Sequence, residues 1–222
     1  MLDKLPDSVG RALKGQRAGI DAVIVRRLHD AVELPSLRVH SSAFGHMDAI
    51  PPQYTADGAG LSPPLTWSGV PDGARQVLLI VEDADSPTPH PLVHAIAIMP
   101  GTDATLGSGA LPSADHEGAG GIPTGLNSYL QHRWLAPDPP PAHGAHRYVF
   151  QVFALGEGNE LSEDLGRRGV EEAISARAIA AGWLIGTYER PTRQSAAKGM
   201  AAIDEKEERD ERDSAIGDAV VS

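Results

Sequence analysis

The chain has 222 residues, 41% of them hydrophobic, with a formal net charge of −11. That length holds one sizeable domain with appendages, and that charge argues against nucleic acid as a main partner and against docking on an anionic membrane through a basic patch. There is no cysteine, which removes disulfides, thiolate metal sites and a cysteine nucleophile while leaving the compartment open.

The opening MLDKLPDSVGRALKG mixes acids with bases and has no apolar h-region, and no apolar run approaches a membrane span, so the expected location is the cytoplasm. Residues 1–36 read as an N-terminal amphipathic helical extension. Ile20, Ile24, Leu28 and Ala31 recur at helical spacing with Val23 and Arg27 beside the stripe, and Asp21 early with Arg26 and Arg27 late suits the helix dipole. The pattern predicts a helix from Gly19 to Glu33, with a shorter one near Val9 to Leu13. Its apolar stripe needs a cover, either the main domain or a second copy, which would make a homodimer. A membrane surface ranks third because the charges are mixed.

From Leu37 the texture changes, and residues 37–190 read as the main domain. Leu37–Val39, Leu65–Trp67 and Gln76–Val81 are short apolar stretches between closely spaced turn signals at Pro51-Pro52, Asp57-Gly58, Pro63-Pro64, Val70-Pro71 and Asp72-Gly73. Val77 to Val81 run into Glu82, Asp83 and Asp85, then a loop with Pro87, Pro89 and Pro91, then a second apolar run carrying His94. Residues 100–133 are a glycine-dense loop without a phosphate-loop motif. Pro139 to Pro141 force extended backbone, Gly144 permits a turn, and His146–Leu155 is a strand. A helix follows, with Ser162 as cap, Val170 to Ala181 on one face and Gly182 as stop, and then a strand from Trp183 to Tyr188. Frequent short strands argue for a mainly β fold. Residues 191–222 are a charged tail to which no chemistry is assigned.

Strand alternation sets His146, Tyr148, Phe150 and Val152 on one face and His94, Ile96 and Ile98 on another, with Asp83 and Asp85 an i, i+2 pair. A lone strand histidine is ordinarily a core residue, and aspartates commonly open turns. Two such strands together suggest one shared cavity of two carboxylates, two imidazoles and a phenol. His90-x-x-x-His94 has a metal-binding spacing, but that spacing works on a helix and Pro87, Pro89 and Pro91 forbid one. Ser86 and Ser128 lack a nucleophile-elbow context.

Several blocks carry a resemblance. Asp83-Ala-Asp85-Ser-Pro87 followed by His94 is the first, and Ala136-Pro-Asp-Pro-Pro140 through Gly144 to His146-Arg147-Tyr148 is the second. Ile50-Pro-Pro-Gln-Tyr54-Thr-Ala-Asp57-Gly58, Ser62-Pro63-Pro64-Leu65-Thr-Trp67-Ser68-Gly69-Val70-Pro71 and Leu184-Ile-Gly186-Thr-Tyr188-Glu-Arg190 complete the set. From Leu37 to Arg190 the chain resembles the phosphatidylethanolamine-binding protein family, in its bacterial YbhB/YbcL, Raf kinase inhibitor-like branch. The resemblance implies a β-sandwich, a large central sheet plus a smaller one, with peripheral helices. It implies a pocket for small anions, phosphate or a phospholipid head group, made by Asp83, Asp85, His94, His146 and Tyr148 with Pro87 and Pro140 as walls. Ala84, Ser86, Ala136 and Ala56 depart from the pattern, and Ala136, where a glycine is usual, narrows the pocket mouth.

The expected function is therefore a binding protein, not an enzyme, with no cofactor or metal. The alternatives are a protein-interaction module inhibiting a kinase or protease and, third, a metal-dependent hydrolase. Two carboxylates beside a phosphate raise a difficulty, since each repulsion is on the order of 4 kcal/mol at ~4 Å and an effective dielectric near 20. Either an acid is protonated, a histidine is charged, or the aspartates face a ligand ammonium. Anions should then bind more tightly as pH falls through about 6.5.

Overall fold

The computed structural model describes residues 2–29, 33–119 and 121–192. Its strands are β1 (Arg38–His40), β2 (Leu65–Ser68), β3 (Gln76–Asp83), β4 (Leu92–Pro100), β5 (Thr105–Leu106), β6 (His146–Leu155) and β7 (Ala178–Tyr188). Its α-helices are α1 (Asp7–Leu13), α2 (Ile24–His29) and α3 (Arg167–Arg177). The strands form two antiparallel sheets, β4-β3-β6-β7 and β1-β2-β5. The fold is mainly β, as the turn punctuation predicts.

The larger sheet is buried on both faces, which is why its strands read as unbroken apolar runs rather than alternating ones. Val77, Leu79 and Val81 of β3 and Phe150 and Val152 of β6 pack in one cluster with Leu65 and Trp67 of β2 and Leu106 of β5. Leu78, Ile80, Ile96, Ile98 and Phe153 form the opposite cluster, closed by Val170 and Ile174 of α3 and by Val23, Ile24 and Val25. Each such side chain stabilises the fold by roughly 1.5–3 kcal/mol.

The single helix predicted from Gly19 to Glu33 is instead a 3-10 turn at Ile20–Ala22, an extended residue at Val23, and α2. The break has a cause in the sheet. Glu82 Oε2 accepts from Ile24 N–H at 2.9 Å and Gln151 Oε1 accepts from Val25 N–H at 2.6 Å, so buried side chains cap a helix that starts there. The cover for the stripe is the sheet of the same chain. Ala31 lies outside the described residues, as does the charged tail from residue 193, and Glu33, the predicted end of the helix, is not helical.

The helix predicted to reach Ala181 ends at Arg177, and residues 178–182 are strand. Pairing overrides the helix propensity of the alanines. Gly182 is no helix stop. It lies in β7 opposite Val152, and a Cβ there would overlap the Leu37 carbonyl. The glycine lets residues 35–37 run alongside β7, where Leu37 N–H donates to Ala181 O at 2.8 Å and Ala181 N–H donates to Pro35 O at 3.0 Å. Ser162 caps a turn before α3 by accepting from Asp164 N–H at 3.1 Å, rather than capping the helix itself. Among the described residues no helix is long and apolar enough to cross a membrane.

Candidate functional site

The site is assembled where β3 ends and β6 begins. Asp83 pairs with Tyr148 across the two strands. His146, two residues earlier on the same face, overhangs the end of β3, and its Nδ1 lies 2.7 Å from Asp83 Oδ2. Asp83 Oδ1 accepts from Asp85 N–H at 2.8 Å, so the carboxylate is held at both oxygens.

His94 reaches the same place through an irregularity that alternation does not foresee. Ala95 pairs with Val81 and Val93 with Glu82, leaving His94 as the extra residue of a β-bulge. The bulge turns His94 away from the face of Ile96 and Ile98, where alternation put it, and onto the face of Tyr148. Its ring stands edge-on to Tyr148 with centroids 5.1 Å apart and lies 6.0 Å from the Trp134 ring. Its Nδ1–H donates to Leu135 O at 2.6 Å, which sets the tautomer.

Asp85 is directed elsewhere. It accepts from Arg147 N–H at 2.9 Å and from Arg147 Nε and Nη2 at 2.7 Å each, and pairs with Arg17 Nη1 at 2.9 Å. Burial pushes its carboxyl up, but the Arg147 and Arg17 guanidiniums outweigh that and hold it at about 2. Pro87 is half-buried on the β3–β4 loop and Pro140 is buried in the proline loop before β6. Ala136 is half-buried, with its methyl turned toward Gly60. Thus Asp83, His94, His146 and Tyr148 come together, and Asp85 is the member turned away.

Three contributors escaped the sequence reading. His143 is fully buried, and its Nδ1 lies 2.6 Å from His146 Nε2. Its Nε2 lies 2.9 Å from the carbonyl of Leu13, at the end of α1. The only signal was a second histidine three residues before His146 in the proline loop. Arg17 is the second, from a segment read as separate. Arg190 is the third. It grips Asp57 with Nε and Nη2, each 2.8 Å from a carboxylate oxygen, Asp138 through Nη1 at 2.6 Å and Pro139 O at 3.1 Å, while the Tyr188 hydroxyl donates to Asp57. This clamp ties the proline loop to the end of β7 through Asp138 and the Pro139 carbonyl. In the same loop Ala142 is left-handed at φ 63°, a conformation costing roughly 1–2 kcal/mol for a residue with a Cβ.

The contacts constrain the protons. The row Asp83–His146–His143–Leu13 O has an acceptor at each end and three links at hydrogen-bond distance. Burial and the neighbouring His146 hold His143 below the usual imidazole range, so it is neutral, donating at Nε2 and accepting at Nδ1.

Burial also holds His94 below the usual range despite the nearby Asp83, and burial with Asp83 pushes the Tyr148 phenol well up. Both are neutral near pH 7, with His94 Nε2 an acceptor. His94 Nε2, the Tyr148 hydroxyl and Trp134 Nε1 are buried with no hydrogen-bond partner among the described residues. Such orphaned atoms each cost on the order of 1–3 kcal/mol, and a ligand that satisfies them recovers it. The Ser86 hydroxyl is bound to Thr88 Oγ1 and Asp83 O, and Ser128 Oγ accepts from Val93 N–H, so neither engages an imidazole in these contacts. His90 is exposed while His94 is buried, so the two do not converge, and no trio of His, Asp or Glu among the described residues is placed to hold a metal.

Residues 40–189 match the family described as phosphatidylethanolamine-binding protein. A UPF0098 protein of Pyrococcus horikoshii is 35% identical over 163 residues, 71% of this chain and 79% of its own length. One of Mycobacterium tuberculosis is 37% identical over 153 residues, 69% of this chain and 70% of its own. Among solved structures, a homologue of this family from Chlamydia trachomatis is 31% identical with a TM-score of 0.61, over 70% of this chain and 98% of its own. YbcL of E. coli has the same TM-score at 24% identity, over 70% of this chain and 99% of its own.

Proposed function

The chain belongs to the phosphatidylethanolamine-binding protein family, and from that premise we propose that His94, His146 and Tyr148 receive a phosphate group, free or on a phospholipid head group. The observation that carries this reading is the pair of orphaned buried atoms on one face, His94 Nε2 and the Tyr148 hydroxyl, beside an imidazole oriented by Asp83. A phosphate monoanion fits their chemistry. Its P–OH donates to His94 Nε2, and its charged oxygens accept from Tyr148 O–H and from an imidazole N–H.

The difficulty of two carboxylates eases in this arrangement. Asp85 is paired with two guanidiniums, and Asp83 has both oxygens engaged, by His146 Nδ1 and Asp85 N–H. Both carboxylates are already partnered, so the phosphate, rather than the amine of a zwitterionic head group, carries recognition. Binding rather than catalysis is the reading because neither nearby serine is aligned with a base.

The bound state holds one more proton than the free one, on the ligand or on His94. Affinity for phosphoethanolamine should therefore rise as pH falls from about 7.5 to about 6. Calorimetric titration at both pH values, with His94→Ala alongside, tests this. The variant should lose at least about tenfold in affinity, about 1.4 kcal/mol. Equal binding by the variant, or affinity that is flat or rising with pH, would overturn the assignment.

A further inference from the structure

We propose that the amino-terminal segment and His143 form an internal latch that keeps this anion site closed, with His143 occupying the His146 nitrogen that a ligand would use. The inference rests on the anion-site reading above. Its amino-terminal half, residues 2–19, lies outside the part of the chain that matches the family, which begins at residue 40, while His143 lies within it.

The argument starts at His146. Its Nδ1 is committed to Asp83, so only Nε2 remains for a ligand, and His143 Nδ1 sits on it at 2.6 Å. His143 is held there from the amino-terminal side. The Leu13 carbonyl takes its Nε2–H at 2.9 Å, and Arg17 Nη2 donates to its backbone carbonyl at 3.2 Å. Arg17 Nη1 reaches Ala145 O at 2.9 Å and Asp85 at 2.9 Å, spanning the loop that carries His143.

Helix α1 lies directly on that loop. Gly10 is its buried residue, and a Cβ there would overlap the Pro141 carbonyl, so the helix backbone and the loop backbone meet with no side chain between them. Leu2 N–H donates to Asp138 Oδ2 at 2.9 Å, and Ala18 and Gly19 N–H donate to Ser86 O and Ala84 O at 3.0 and 2.7 Å. The strap is thus tied at the proline loop and at the β3–β4 loop, the two loops that flank the site. His146 and Tyr148 are completely shielded from solvent. The left-handed Ala142, next to His143, is a conformation that persists only where its surroundings impose it. Released from Leu13 and Arg17, the loop has a local reason to relax, carrying His143 off His146.

Two substitutions in the full-length chain test the latch. His143→Ala removes the occupant, and Gly10→Ala lifts α1 without touching any site side chain. Amide hydrogen exchange is measured without ligand, and affinity is measured for inorganic phosphate and, separately, for phosphoethanolamine. Both variants should exchange faster across residues 2–18 while β3 stays protected, and both should bind at least one of the two phosphates about tenfold or more tighter than the parent. Improvement for both compounds points to free phosphate chemistry, and improvement for phosphoethanolamine alone points to a head group. Unchanged exchange in His143→Ala overturns the latch, as does faster exchange without any gain in affinity. If the parent binds and His94→Ala does not, yet neither latch variant gains, the latch falls and the anion site stands. If no form of the protein binds either compound, both fall.

Discussion

Replacing Asp85 by asparagine isolates the electrostatic joint between the two loops and the amino-terminal segment. One buried carboxylate meets Arg147 through three N–H groups and Arg17 through a fourth contact. Its carboxyl is held at about 2, against 3.8 for an unperturbed aspartate. For a group depressed in the folded state, the stabilisation is complete above the unfolded value and is lost as pH falls toward the folded one. The difference of about 1.8 units corresponds to about 2.4 kcal/mol at pH 7. Asp85→Asn should therefore unfold about 2–3 kcal/mol more easily in urea at neutral pH, with a melting temperature lower by roughly 4–12 °C for a domain of this size. The pH dependence is the sharper test. Half of the parent's advantage should be gone by about pH 3, and the two proteins should converge near pH 2. A variant within about 0.5 kcal/mol of the parent at pH 7, or a gap that does not change with pH, would refute the reasoning.

Two further outcomes follow from buried groups. Glu82, fully buried, accepts from Ile24 N–H, Gln151 Nε2 and Arg167 Nε, so Glu82→Ala strands an arginine and two amide donors and should cost about 3–5 kcal/mol in urea unfolding. A loss below about 1 kcal/mol would mean that the second face of the sheet does not depend on this peg. His94 and His143 are both held neutral by burial, below the imidazole range of the unfolded chain. The unfolded chain then binds more protons, so stability should fall as pH drops below about 6.5, by at most about 1.4 kcal/mol per pH unit for each ring. Flat stability between pH 7 and 5 would contradict that state.

The strands that position the site are legible as sequence because their pattern is local. Val77–Val81, the run around His94 and His146–Leu155 are apolar stretches between turn residues, and each is a strand in the fold. The face shared by His146 and Tyr148 is equally local, since alternation along one strand needs no partner. His94 shows where locality ends. Its side follows from a bulge opposite Val81 and Glu82, a property of two strands paired in register. Helix α2 starts where Glu82 and Gln151 offer acceptors, and Gly182 serves the approach of Leu37 rather than the end of a helix.

The same division runs through the candidate site. By itself the sequence determined the mainly β class, the family resemblance and the identities of Asp83, His94, His146 and Tyr148, because motifs and short-range periodicity are written in residue order. Only the tertiary structure decided that Asp85 belongs to Arg147 and Arg17, that His143 rather than solvent meets His146, and that the amino-terminal segment closes over them. Apart from the His143–His146 contact, which spans three positions, those are contacts between groups separated by 62 to 130 positions along the chain. A charge or an imidazole nitrogen can be named from sequence, but its partner, and with it its protonation and its availability to a ligand, is settled by which distant segment folding brings within about 3 Å.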